Sequence, residues 1–113
     1  MNFFGKRLLF VGAHPDDIEL GCGAFIHHVL PYSEVLCVTL SDNQKNPNLK
    51  NVVEEQMASL MALGVPEKSI ITGQFETRKF PDMRQEVLEY LLKLRRDFKP
   101  DMVLLDSAGH MGF

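Results

Sequence analysis

The chain has 113 residues, of which 45% are hydrophobic and 24% are charged, and these values are typical of one soluble globular domain. Its formal net charge of −3 provides no broad basic surface, which argues against nucleic acid or anionic membrane as a partner and favours a small or uncharged ligand. The chain starts with no apolar run long enough for a signal peptide or a membrane span, and its 2 cysteines lie in apolar segments. We therefore predict a cytoplasmic protein with a single domain over residues 1–113.

Strand-like and helix-like segments alternate along the chain. Short aliphatic runs predict strands at residues 8–11, 34–40 and 102–105, with a weaker one at 69–72. Apolar residues recur at a spacing near 3.6 in three predicted helices. The first contains Ile18, Cys22, Phe25, Ile26 and Val29, and the third contains Met83, Val87, Leu91, Leu94 and Phe98. The second contains Val53, Met57, Leu60 and Met61, with Gly64 as its C-terminal cap. The order βαβαβαβ predicts an α/β domain with a parallel sheet.

The connectivity also predicts where a ligand would bind. Right-handed crossovers in a Rossmann-like, three-layer domain arrange about four parallel strands in the order 3-2-1-4. Strands one and four are then neighbours, and ligands bind in the crevice at such a switch point. We therefore expect the residues after strand one and those at 106–110 after strand four to lie near each other. Asp42, after strand two, would line the same pocket or cap its own loop.

The stretch GAHPDDIELGCG, residues 12–23, follows the first predicted strand directly. Asp16 and Asp17 have two readings, because acidic residues at a helix start cap free N–H groups, whereas a histidine and two carboxylates also suit a divalent metal. Capping explains one aspartate but neither the preceding His14 nor the repulsion between adjacent carboxylates. The metal interpretation is the stronger one, since a cation would offset that repulsion.

Glycines in the same stretch suggest a second kind of site, for a dinucleotide. The G-x-G-x-x-G fingerprint would require a glycine at position 26, where the chain has Ile26. Two acidic side chains would also repel a pyrophosphate. We interpret Gly21 and Gly23 instead as packing residues that let the helix approach the sheet closely.

The motif A-H-P-D-D at residues 13–17, followed by E-L-G-C-G at 19–23, resembles the signature of the LmbE/PIG-L family of zinc-dependent N-acetylglucosamine de-N-acetylases. Residues 55–65 and 78–103 resemble later family segments, so the likeness spans most of the chain. The resemblance implies a Zn²⁺ cofactor and an N-acetylated amino sugar or conjugate as substrate. It also implies that His14 and Asp17 ligate the zinc and that Asp16 is the catalytic base.

The segment DSAGHMGF, residues 106–113, is where the family has its third zinc ligand, in an H-x-D-H-like sequence. His110 is the candidate for that ligand, although no Asp-His follows it, and a solvated tail is the alternative. His27 and His28 lie about 15 Å or more along the helix from the motif and are expected to be surface or packing residues. Ile18 also departs from the family pattern, in which a glutamate follows the paired aspartates.

Two expectations concern the whole chain. Family members are longer, so the chain is expected to be an N-terminal portion of the family fold, truncated at its C-terminus, with strand four as an apolar edge open to a homo-oligomeric contact. Its function is expected to be zinc-dependent N-deacetylation. The alternative is a non-catalytic remnant or subunit that keeps the fold with weak or no metal binding.

Overall fold

The computed structural model describes residues 5–13, 17–41, 51–73, 75 and 82–105. Strands and helices alternate through these residues as the sequence predicts. In chain order they are β1 Arg7–Gly12, α1 Asp17–Val29, β2 Glu34–Thr39, α2 Val52–Ala62, a 3₁₀ helix at Glu67–Ser69, β3 Ile70–Thr72, α3 Arg84–Phe98 and β4 Met102–Leu105. β3 begins one residue later than predicted, because Ser69 is the last residue of the 3₁₀ helix.

The strands form one four-stranded parallel sheet in the order β3-β2-β1-β4. This confirms the predicted α/β class and the predicted strand order. β1 is a central strand, and its Leu9 pairs with Leu36 of β2 on one side and with Val103 of β4 on the other. The switch in connection direction therefore falls between β1 and β4, where the sequence predicts it.

Alternate side chains of β1 enter two separate apolar layers. Leu8 and Phe10 are fully buried beneath α1 and α2, together with Ile26 and Leu60 of those helices. Leu9 and Val11 lie on the opposite face of the sheet, in the layer that contains α3. This alternation follows from the period of two in a strand, and the sheet with helices on both faces is the predicted three-layer architecture. Burying each such aliphatic or aromatic side chain stabilises the fold by about 1.5–3 kcal/mol.

Helix α2 ends as predicted, but its buried face differs from the prediction at two positions. Gly64 has a φ of 109° and donates to the carbonyl of Met61 at 3.0 Å, while Val65 donates to the carbonyl of Leu60 at 3.1 Å. These two bonds form a Schellman cap. The predicted apolar series was wrong at Met61, which is 46% exposed, whereas Gln56 is 1% exposed.

The glycines of α1 do not act as the sequence suggested. Gly21 is exposed, so it brings no part of α1 closer to the sheet. Gly23 is buried, but a Cβ added at this position would lie nearest to the side chain of Leu63, at 3.6 Å. Its contact is therefore with the end of α2, and the predicted packing role is one between helices.

Arg7 joins four elements at the amino-terminal edge of the sheet. Its Nε donates to the carbonyl of Phe98 at 2.7 Å, and its guanidinium group lies 4.3 Å from the centre of the Phe98 ring. The same guanidinium group pairs with Glu34 at the start of β2. Its backbone N–H donates to the Asp101 carboxylate at 2.7 Å, just before β4. This edge, opposite the predicted site, is thereby held together.

Candidate functional site

The paired backbones of β1 and β2 continue beyond the two strands, up to the residue before the HPDD motif at residues 14–17. The N–H of Leu40 donates to the carbonyl of Gly12 at 2.9 Å, and that of Ser41 donates to the carbonyl of Ala13 at 3.0 Å. All four of these residues are buried. The backbone is therefore hydrogen-bonded up to the residue immediately before His14.

Most of the side chains predicted to form the site lie outside the described residues. These are His14, Asp16, Asp42 and His110. Asp17 is the first residue of α1, which fits a position at a helix start. Among the residues that the structure does describe, no group of three or more His, Cys, Asp and Glu side chains could hold a metal ion.

Strand β4 leaves the sheet beside the end of β1. Leu105, the last residue of β4, is the register partner of Val11 near the end of β1, so the carboxyl ends of the two strands lie at the same edge of the sheet. The topology thus brings the exits of both strands together, as a ligand site at the switch point requires.

The two histidines of the last turn of α1 are surface residues, as predicted. His27 and His28 are both exposed, and Nδ1 of His27 lies 3.3 Å from the carbonyl oxygen of Leu63. They occupy the opposite end of α1 from Asp17. Neither is therefore part of the predicted site.

A buried polar pair that the sequence analysis missed lies at the end of β2. Thr39 and Gln56 are each 1% exposed, and Nε2 of Gln56 donates to Oγ1 of Thr39 at 2.6 Å. Oε1 of Gln56 is buried and accepts no hydrogen bond from the part of the chain that the structure describes. The available signal was the position of Gln56, three residues after Val53 and four before Leu60, on the apolar stripe of α2.

The segment after β3 holds the other side of the same strand end. Gly73 donates to the carbonyl of Thr39 at 2.6 Å, and Phe75 donates to that of Leu40 at 3.1 Å. An ideal Cβ at Gly73 would lie 2.8 Å from the Leu40 carbonyl oxygen. This close approach requires glycine, and it fixes the end of β2 between β1 and the chain leaving β3.

Comparison with protein families identifies the chain. A family model described as GlcNAc-PI de-N-acetylase, PIG-L, matches residues 9–110. The chain belongs to the PIG-L family. The PIG-L match contains the whole HPDD motif and all four strands after the first two residues of β1, and it confirms the resemblance seen in the sequence.

PIG-L membership assigns the chain to a family of deacetylase-type hydrolases that act on an amino-sugar substrate. A comparison with curated proteins finds no match. None of the helices in the described residues has the length and apolar character needed to cross a bilayer.

Proposed function

We propose that this chain is a zinc-dependent hydrolase that removes the N-acetyl group from an amino sugar or a sugar conjugate. The observation that carries the proposal is the PIG-L match over residues 9–110, which includes the HPDD motif directly after β1. The sheet order supports it, because β1 and β4 flank the switch point at which α/β sheets bind ligands. The protein would act in the cytoplasm, and residues 1–113 would lie within a single domain of the PIG-L type.

The proposed metal ligands are His14, Asp17 and His110. Imidazole and carboxylate groups are the donors that catalytic zinc takes, with three protein ligands and one open position, so this donor set fits Zn²⁺. The buried oxygen of Gln56 at the end of β2 also fits a metal site, because metal-binding imidazoles hydrogen-bond to such acceptors. When bound, zinc would polarise the acetamide carbonyl and lower the pKa of water.

Asp16 is the proposed general base. It is adjacent in sequence to a ligand but does not ligate, so its carboxylate is available to take a proton from the attacking water. Attack of the water oxygen on the acetamide carbon forms the new C–O bond first, and collapse of the resulting tetrahedral carbon then breaks the C–N bond. The leaving nitrogen requires a proton to depart as an amine. The proton taken up by Asp16 is a source for it. The products are acetate and the free amino sugar.

The catalytic proposal is tested by amine release from N-acetylglucosamine and GlcNAc-PI, followed with an amine-reactive fluorophore. We expect turnover by the zinc-loaded protein and a fall in kcat of about 10²–10⁴-fold for Asp16→Asn, because the base is lost while the ligands remain. Zinc content per chain should be unchanged in that variant. An Asp16→Asn protein as active as the wild type would exclude Asp16 as the base.

The metal proposal has its own measurement, elemental analysis of zinc per purified chain. We expect His14→Ala and His110→Ala to lose most of the bound zinc. His28→Ala is the matched control, because His28 is exposed at the far end of α1 and should leave zinc content unchanged. Equal zinc content in all four proteins would reject both ligand assignments.

A specific sequence observation favours a second candidate function. His110 is followed at the second and third positions by Gly112 and Phe113, where the family segment resembling H-x-D-H has aspartate and histidine. The alternative is therefore a non-catalytic remnant or subunit that retains the fold, with weak or no metal binding. A folded wild-type protein that releases no amine from either substrate at saturating zinc would favour this alternative.

A further inference from the structure

Gln56 is the buried polar residue whose presence packing alone does not explain. Its side chain lies on the apolar stripe of α2, between positions 53 and 60 that carry valine and leucine. Nε2 is satisfied by Thr39, but Oε1 has no hydrogen-bond partner in the described residues. A buried acceptor without a partner destabilises a fold, and a leucine of similar size would avoid that penalty. We therefore expect Oε1 of Gln56 to accept a hydrogen bond from a further donor.

The position of the pair relates it to the HPDD motif. Thr39 is the register partner of Gly12, and the side chains of alternate residues in each strand point to the same face of the sheet. Leu8 and Phe10 of β1 face α1 and α2, so Gly12 occupies the next position on that face and carries no side chain. No β1 side chain therefore stands beside Thr39 and Gln56. The chain continues from this point through Ala13 into the motif.

We propose that Gln56 is a positioning residue for the zinc ligand that follows β1, an inference that rests on the proposed zinc site. A histidine that binds a metal through one ring nitrogen donates its other N–H to a fixed acceptor, which sets the orientation of the ring. Oε1 of Gln56 is such an acceptor, and the hydrogen bond to Thr39 fixes the direction of the amide. His14 is the imidazole that the chain brings closest in sequence to this position, two residues after Gly12.

An amide oxygen accepts such a hydrogen bond without adding a charge to the buried position. With Nε2 donating to Oγ1 of Thr39, Oε1 is the amide atom left to accept a hydrogen bond. A hydroxyl of the sugar substrate would be a chemically equivalent donor. Zinc affinity measured without substrate separates the two, because only an imidazole donor links Gln56 to metal binding.

The test compares zinc affinity and stability in variants of the full chain. The zinc dissociation constant is measured by competition with a chromophoric chelator, and the stability of the metal-free protein by its urea midpoint. For Gln56→Leu we expect a dissociation constant about 10–100-fold above that of the wild type. We expect little loss in the urea midpoint, since the unpaired oxygen is removed together with its bond to Thr39.

Three further variants make the result specific. Gln85→Leu is the matched control, because Gln85 is exposed on α3 and its Nε2 donates to Glu89 on the same helix at 3.2 Å, and it should bind zinc as the wild type does. Gln56→Glu keeps an oxygen acceptor of the same length and should recover most of the affinity. Gln56→Met replaces Gln56→Leu if the latter does not fold.

Wild-type zinc affinity in a folded Gln56→Leu or Gln56→Met protein would overturn the inference. So would a higher KM for the sugar with an unchanged zinc dissociation constant, which would identify substrate as the donor. Failure of the wild-type chain to bind zinc at all would overturn the proposed function as well, and the wild-type titration alone reports that outcome.

Discussion

Gly73 and Gly23 differ in the space that each leaves for a Cβ atom. At Gly73 a Cβ would be 2.8 Å from the carbonyl oxygen of Leu40, a backbone atom held in the bonding between β2 and the chain after β3. At Gly23 the nearest atom to a Cβ is 3.6 Å away, in the flexible side chain of Leu63. The first glycine is required by sterics, and the second is not.

We therefore expect Gly73→Ala to lower the free energy of unfolding by about 1–3 kcal/mol, because the backbone must shift to admit the methyl group. Gly23→Ala should raise it by roughly 0.5–1 kcal/mol, since alanine is the better helix former and fits the space in α1. Urea denaturation of both variants measures the two effects. A Gly73→Ala protein as stable as the wild type would show that the backbone at the end of β2 shifts at little cost in free energy.

At the scale of single residues, sequence reasoning selects charged residues more readily than buried polar ones. His14, Asp16 and Asp17 stand out because charge directly after an apolar strand has few structural explanations. Gln56 did not stand out, because a periodic apolar pattern averages over the stripe and one polar member leaves the period intact. Its partner Thr39 is also typical of a strand. Only the contact between them reveals the pair.

The end of α3 contains an unfavourable backbone conformation. Lys99 follows the last helical residue with a φ of 54° and donates to the carbonyl of Arg95 at 2.8 Å. This left-handed position usually carries glycine, because a Cβ is strained there. The sequence predicted that the helix ends before Pro100, but a lysine gives no signal of a left-handed residue.

Replacing Lys99 by glycine should stabilise the protein by about 0.5–1 kcal/mol, since the strain of the left-handed residue is relieved. Lys93→Gly, within the same helix, is the matched control and should destabilise by about 1 kcal/mol. Thermal unfolding followed by circular dichroism compares the two. If both exchanges destabilise equally, the left-handed conformation does not strain the chain.

The strands show which elements a sequence can predict. β4 lies at the predicted residues, and β1 extends one residue beyond the prediction at each end, because an aliphatic run bounded by polar residues has few alternatives. β3 has 3 residues, and its start depends on whether Ser69 bonds within a turn or to β2. That choice is made by pairing with a distant strand, which local composition does not encode.

At the scale of the whole molecule, β4 is an open edge of the sheet. Its outer side pairs with no strand among the described residues, and Val103 and Leu105 are 46% and 53% exposed. An unpaired apolar edge is a site of strand addition. The expectation that copies of the chain associate through this edge therefore remains a prediction.

We expect Val103→Lys to weaken self-association, because a charged edge side chain would have to be desolvated in the contact. Sedimentation equilibrium over a range of protein concentrations measures this. Lys68→Ala, an exposed change in the 3₁₀ helix before β3, is the control for the opposite side of the sheet and should leave association unchanged. A wild-type protein that stays monomeric at all concentrations would contradict the edge contact.

The order of the sheet followed from the sequence because the handedness of crossovers restricts four alternating strands to few arrangements. The side-chain geometry of the site did not follow from it. Such geometry depends on contacts between residues far apart along the chain, like the pairing of Val11 with Leu105. A one-dimensional pattern states which residues are present but not their distances.

The place of β1 in the sheet has a consequence for biosynthesis. Among the described strands, β1 leaves the ribosome first and its neighbour β4 leaves last, and the hydrogen bond from Arg7 to Asp101 spans 94 residues. At about 5–20 residues per second, that neighbour arrives roughly 5–20 s later. Until then one side of the central strand is exposed to chaperones and to other nascent chains. Translation speed, rather than final stability, therefore decides how long this protein is vulnerable to mispairing.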